Sequence, residues 1–252
     1  MRAVIEMTAL PPPPPPPTTV TGQIREKICG IRTIVHRLAV YEISVRNFIE
    51  KEKTRFYSKL GVFKPKPEEV ICESIALYYE PYITAKANYT LDYYRKKVYP
   101  IKVDNTVREV IIFDRTLQPS GQEKGGRQVS LEARERVAIS IPAHVCLDKI
   151  SREVNPKKLS TGVEEPDPWS VLRGLGDKVR SLAATPDAAI GIIRGRIVKR
   201  PQDIERIVDE VLEVTELSTI YTPVYEAHLR HLKTGVIKVV PVSGITGKLH
   251  TV

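Results

Sequence analysis

Ile24-Arg-Glu-Lys-Ile28-Cys-Gly-Ile31-Arg-Thr-Ile-Val35-His-Arg-Leu38 has an unusual regularity. Ile24, Ile28, Ile31, Val35 and Leu38 are spaced four-three-four-three, the seam of a heptad repeat. Glu42 interrupts the seam, and Val45, Ile49 and Phe56 resume it. Residues 21–60 contain no proline and one interior glycine, Gly30. Thr21 stands where an N-cap belongs and Gly61 where a C-cap glycine does. The pattern predicts one long helix over residues 21–61, about 60 Å long at 1.5 Å per residue. Such a rod exceeds its own domain, so part of the seam needs a partner: a second copy, another protein or the chain's own β units.

Outward from that stretch, residues 1–20 form a proline-rich tail with seven consecutive prolines at 11–17. Such a run is a polyproline II rod, read as a spacer rather than as a ligand for an aromatic groove. Residues 62–150 are rich in Tyr, Val and Ile and predict a first β unit, with irregularities at Pro81 and Pro100. Residues 151–189 read as a connector with a short helix opening at Pro168-Trp169. In residues 190–252, a strand at 190–198 precedes an amphipathic helix at Asp203–Glu213. There Ile204, Ile207, Val208, Val211 and Leu212 follow helical spacing. Two strands, Leu217–Leu232 and Val236–Val242, close the chain.

The two β segments resemble each other. Tyr79-Glu-Pro81-Tyr-Ile-Thr-Ala85 aligns with Tyr221-Thr-Pro223-Val-Tyr-Glu-Ala227, and each is followed by a hairpin pattern and a turn. One supersecondary unit used twice is the expectation, with Pro81 equivalent to Pro223. The fold class expected is therefore α+β: a long N-terminal helix plus two related small antiparallel β units, joined by a connector and short helices. The second copy runs from its preceding helix, through the Tyr-x-Pro strand, to Gly244-Ile-Thr-Gly247-Lys248. It is similar to small PepSY-type β-modules over about fifty residues. That resemblance implies a binding or inhibitory appendage and carries no site residue with it.

Composition restricts the function classes. No run of 18 apolar residues exists, so no membrane span is expected, and no secretory leader is read at the start. Three scattered cysteines without a CxxC exclude a disulfide framework and a thiolate zinc site, and a cytoplasmic location is expected. Four Asn and five Gln beside 39 Lys and Arg give the balance of a heat-adapted protein. Residues 21–60 carry nine Lys or Arg against four Glu, out of a net charge of +9 for the chain. A surplus concentrated in this way favours an anionic partner.

Catalytic motifs are missing. Gly244-Ile-Thr-Gly247-Lys248 has too few residues between its glycines to wrap a phosphate. His228 and His231 fall on a strand at odd spacing, which sends them to opposite faces and makes a metal site improbable. No cofactor is expected. The expected role is a non-enzymatic adaptor or scaffold assembling with itself or a protein partner through residues 21–60. The alternative is a nucleic-acid or ribonucleoprotein-associated factor. Its contact would be the basic helix together with Tyr93, Tyr94, Arg95, Lys96 and Lys97, an aromatic and basic run at a hairpin tip suited to stacking on bases.

Overall fold

The computed structural model describes residues 23–57, 65–121 and 126–250 of the chain. The proline run at 11–17, the tail around it, Thr21 and Gly61 lie outside the described residues. What is described is mostly β. Strand β1 (Arg25–Ile28), strand β2 (Arg32–Val35) and helix α1 (Glu42–Glu52) come first. Then follow β3 (Val70–Val103), the small hairpin β4 (Val110–Ile112) and β5 (Arg115–Leu117), β6 (Arg127–Leu147) and β7 (Glu153–Val154). Helices α2 (Pro168–Leu175) and α3 (Pro186–Ile197) precede β8 (Ile204–His231) and β9 (Ile237–Ser243).

These elements overturn the long helix. Ile24 precedes β1, Ile28 lies in β1 and Val35 in β2, and both strands pair in parallel with β8: Arg25 to Ile28 against Val211 to Val214, and Arg32 to Val35 against Ser218 to Tyr221. Of the expected seam, Ile28 and Ile31 are more than half exposed, Val35 is fully buried, and Leu38 packs on a cluster built around α1. The fold is not α+β with a long helix, and there is no helical seam for a partner. The heptad spacing was a coincidence of two four-residue strands separated by Cys29-Gly30-Ile31.

Seven strands form one mixed sheet, in the order β1-β8-β3-β6-β7, with β2 and β9 also pairing with β8. β8 is the organising strand. One of its edges meets β3, and the other is taken in turn by β1, β2 and β9, the last antiparallel through Val224–Arg230 against Ser243–Ile237.

The internal duplication is also overturned. β3 runs unbroken for 34 residues through Pro81 and Pro100, whereas the supposed second copy is β8, a turn and β9. One segment holds a hairpin and the other does not. The continuous β3 survives Pro81 because Tyr79 and Pro81 turn their backbone groups to the same side. There the carbonyl of Tyr79 accepts from Arg180 N and Tyr79 bridges Val179, so an irregular segment stands on that side. Two smaller assignments reverse as well. Of the expected helix at Asp203–Glu213, Asp203 lies in a turn and Ile204–Glu213 belongs to β8, which removes the helix that the PepSY resemblance needs, and residues 190–197 lie in α3.

Two compact units emerge. One consists of the described residues of Leu91–Ala138 with Pro201–Glu210. The other holds those of Ile24–Thr90, Ile139–Arg200 and Val211–Val252. β3, β6 and β8 contribute to both. In the second and larger unit, α1 turns Val45 and Ile49, four residues apart, onto Tyr225, Ala227 and Leu229 of β8, Val240 and Val242 of β9, and Val70 of β3. The Tyr225 hydroxyl donates to the carbonyl of Val40 at 3.0 Å and ties the segment before α1 to this core. α3 buries Ala189, Ile190, Ile193 and Ile197. Its outer arginines reach opposite ends of the strand order, Arg194 to Glu26 of β1 and Arg196 to Glu153 of β7.

Candidate functional site

Side chains alternate across a strand, and in β3 the alternation separates two surfaces. Tyr79, Pro81, Ile83, Ala85, Ala87 and Tyr89 are buried. Between them Glu80, Tyr82, Thr84, Lys86 and Asn88 form a polar row. Antiparallel β6 supplies a matching row: Thr84 meets His144 with Oγ1 and Nε2 2.8 Å apart, and the Ser140 hydroxyl donates to the Asn88 side chain at 3.0 Å. β8 completes it from the other side, where Lys86 pairs with Glu216 at 2.8 Å and the Thr215 hydroxyl donates to the carbonyl of Lys86 at 3.3 Å. The larger unit therefore carries a polar sheet face, and two depressions lie on it.

The first depression, of 530 Å³, crosses β2, β8, β3 and β6, with the segment 156–164 as its wall. Three polar pairs stand in it in strand order: Arg32 with Glu164, Lys86 with Glu216, and Thr84 with His144. Ile34, Ile220 and Leu159 supply apolar surface between them, and Cys146 lies at its buried end. Burial, reinforced by the Lys86 charge, holds His144 below the usual histidine range and keeps it a neutral imidazole. Burial pushes the Cys146 thiol up to about 12, with the Asp148 charge adding to it, so this cysteine is an inert thiol and not a nucleophile.

The second depression, of 570 Å³, lies further along the same strands and is lined by Glu80, Tyr82, Asp148, Lys149, Glu226 and His250 among others. Lys149 Nζ donates to Glu80 Oε1 at 2.8 Å, Tyr82 Oη lies 3.1 Å from Glu80 Oε2, and Tyr82 Oη lies 2.8 Å from His250 Nε2. The proton assignment follows from the inventory of groups. An ionised carboxylate only accepts, so Tyr82 donates to Glu80, and His250 must donate to Tyr82 from Nε2. The His250 pKa is lowered, chiefly by burial, which favours the neutral ring with the proton on Nε2, while the Glu80 charge acts in the opposite direction. Burial raises the Tyr82 pKa well above the phenol range, so the phenol stays protonated. The remaining carboxylates are paired too: Asp148 with Arg152, and Glu226 with Arg180, whose guanidinium stacks 3.7 Å from the Tyr78 ring centroid. This depression is a connected network of paired side chains, although the Nε of Arg180 is buried without a hydrogen-bond partner.

The expected nucleic-acid contact is dispersed. Tyr93 to Lys97 do not cap a hairpin but run through the middle of β3. Tyr93 is buried, and Tyr94 lies under the guanidinium of Arg206 at 4.9 Å. Arg95 is held by Glu135 at 2.6 Å and Asp203 at 3.2 Å, while Lys96 and Lys97 are exposed. Glu80, Tyr82, Thr84, Lys86, His144 and His250 escaped the sequence reading. The signal for four of them was present, a polar residue at every second position from Glu80 to Lys86 against an apolar row. Nothing in the sequence announced that His250 would close onto Tyr82.

Among the described residues, no group of three or more His, Cys, Asp or Glu is placed to hold a metal ion, and no helix is long and apolar enough to cross a membrane. Comparison with protein-family models, with curated proteins and with solved structures finds no match to this chain.

Proposed function

We propose that the chain is a binding protein, an adaptor in the broad sense, whose ligand is a short peptide segment carrying both charge signs, held in the first depression of the larger unit. One observation carries this reading: two ion pairs, Lys86–Glu216 and Arg32–Glu164, line the same depression, and both are largely exposed. An exposed pair contributes only about 0–1 kcal/mol, so it opens at little cost. A ligand carboxylate takes over a cation and a ligand ammonium takes over a carboxylate. The ligand's apolar parts meet Ile34, Ile220 and Leu159, and its polar backbone meets Thr84 and Ser218.

Size supports the same ligand class. Four adjacent strands at about 4.8 Å spacing make a floor roughly 14 Å across, the length of about four extended residues. The nucleic-acid alternative rested on a basic rod and a hairpin tip that the fold does not contain, and it has no comparable geometric support.

The test is a calorimetric titration with a tetrapeptide bearing one Lys and one Glu and free termini, alongside its neutral, end-capped counterpart. Saturable binding of the charged peptide alone is expected. Lys86→Ala and Glu216→Ala should each weaken it by about tenfold, which is 1.4 kcal/mol. Equal binding of the capped neutral peptide, or unchanged binding in both variants, removes the reading.

A further inference from the structure

The outer edge of β6 is open. β6 pairs with β3 on one side, and on the other it meets β7 only through Cys146 and Leu147, plus the isolated bridge of Gln128 with Ser120. Among the described residues, no strand pairs with that edge from Val129 to Val145. A long unpaired edge is a template for another strand, and proteins that remain monomeric blunt such edges.

Which backbone groups point outward can be read from the two ends. Gln128 exchanges both hydrogen bonds with Ser120, at 2.8 and 2.9 Å, on the outer side. Asp148 N donates outward to the carbonyl of Arg152 at 2.9 Å. Both positions are even, so Ser130, Glu132, Arg134, Arg136 and Ala138 also turn their N–H and C=O groups outward. Pro142 agrees: it is even, and its missing N–H falls on the open edge, where the ladder to β3 loses nothing.

We infer that this edge, from Ser130 to Ala138, pairs antiparallel with the same edge of a second copy of this chain. The sequence of the edge is self-complementary on either side of Arg134, which meets its own copy at the centre while each stays tied to Glu205. In a two-fold pairing centred there, Ser130 faces Ala138 of the other copy, Glu132 faces Arg136, and on the opposite surface Leu131 faces Val137. All five outward residues fall in narrow pairs that exchange two hydrogen bonds each. Leu131 and Val137 are half-buried at the open edge, and the pairing covers them. Glu132 has no ion-pair partner among the described residues, and Arg136, which holds Asp92 through Nε and Nη2, keeps its side chain more than half exposed. The pairing lies wholly within the smaller unit and is independent of the peptide depression.

Sedimentation equilibrium on the full chain tests it. Dimer that dissociates on dilution is expected, and a monomer at every concentration overturns the inference. Arg134→Pro removes one outward N–H at the centre, as Pro142 does naturally, and should leave a folded monomer. Arg134→Ala loses the same side chain and its pairing with Glu205 but keeps the N–H, and should still dimerise. Dimer that persists in the folded Arg134→Pro protein places the contact elsewhere and overturns the inference. Should Arg134→Pro fail to fold, amide exchange on the unaltered chain decides. The N–H groups of Glu132, Arg134 and Arg136 should lose protection on dilution while those of Ala133 and Glu135 keep it, and protection independent of concentration overturns the pairing.

Discussion

Phe113 occupies a position made for Asn or Gly. With Asp114 it forms the two-residue loop between β4 and β5, and both residues have positive φ, 48° and 61°. That is the conformation of a type I′ turn, which an aromatic side chain adopts at a cost of about 1–2 kcal/mol. Burial offers no compensation, since Phe113 is 92% exposed. Phe113→Asn is therefore expected to stabilise the chain by about 1 kcal/mol, measured by denaturant titration. A loss of stability would mean that Phe113 makes a contact worth more than the strain. Histidines give a second residue-scale expectation. His36 and His250 are buried, burial lowers both pKa values below 6.5, and Glu164 and Glu80 only partly oppose it. The unfolded chain then takes up these protons first as pH falls. Stability is complete above pH 6.5 and declines below it, toward the folded-state values. His250→Gln should flatten that decline between pH 7 and 5, and an unaltered slope in thermal melts would show that His250 does not titrate on unfolding.

Elements in this chain obey tertiary pairing more than local pattern, and this limits what the sequence discloses. Of the helix expected over 21–61, α1 keeps the stretch Glu42–Glu52, where Val45 and Ile49 form the buried stripe; its bounds were not legible. Ile49→Ala should cost about 2–5 kcal/mol, since the side chain is fully buried in the cluster with Tyr225 and Val242. Ile31→Asp should change the melting transition little, since Ile31 lies between β1 and β2 and is 58% exposed. Under a helical seam the ranking would be reversed. The stretch Ile204 to Leu212 matches helical spacing without a miss, yet it extends β8, because β3 offers a ladder of hydrogen bonds on one edge and β1 joins on the other from Val211 onward, and intrinsic propensity cannot outweigh that pairing. The run Ile190-Gly-Ile-Ile is β-branched and became α3, whose start was signalled all the same: Thr185 caps the N–H of Ala188, and Pro186 takes the first turn. Of the polar depression, the alternating row of β3 was readable. Its partners on β6 and β8 were not, since nothing local sets which residue of one strand faces which residue of another.

The two units of the whole molecule are built from different forces. Among the described residues, the smaller unit buries three apolar side chains, Leu91, Tyr93 and Val129, whereas the larger holds nearly all the rest of the core. In the smaller unit the side chains that tie neighbouring strands are ion pairs: Arg95 with Glu135 and Asp203, Arg134 with Glu205, and Arg136 with Asp92. Apolar burial contributes roughly 25 cal/mol per Å², while exposed ion pairs contribute little and weaken as ions screen them. The amides of Leu91–Tyr99 in β3 and Glu205–Asp209 in β8, which self-pairing of β6 does not cover, should therefore exchange faster than those of Tyr82–Tyr89 and Leu217–Leu229. The gap should widen in about 1 M sodium chloride, where the screening length falls to about 3 Å, because hydrophobic burial in the larger unit does not weaken with salt. Hydrogen exchange followed by mass spectrometry at two salt concentrations reads both effects. Equal protection along the full length of β3 and β8, unchanged by salt, would show that the strands unfold as one cooperative body and that the thin core of the smaller unit does not set its stability.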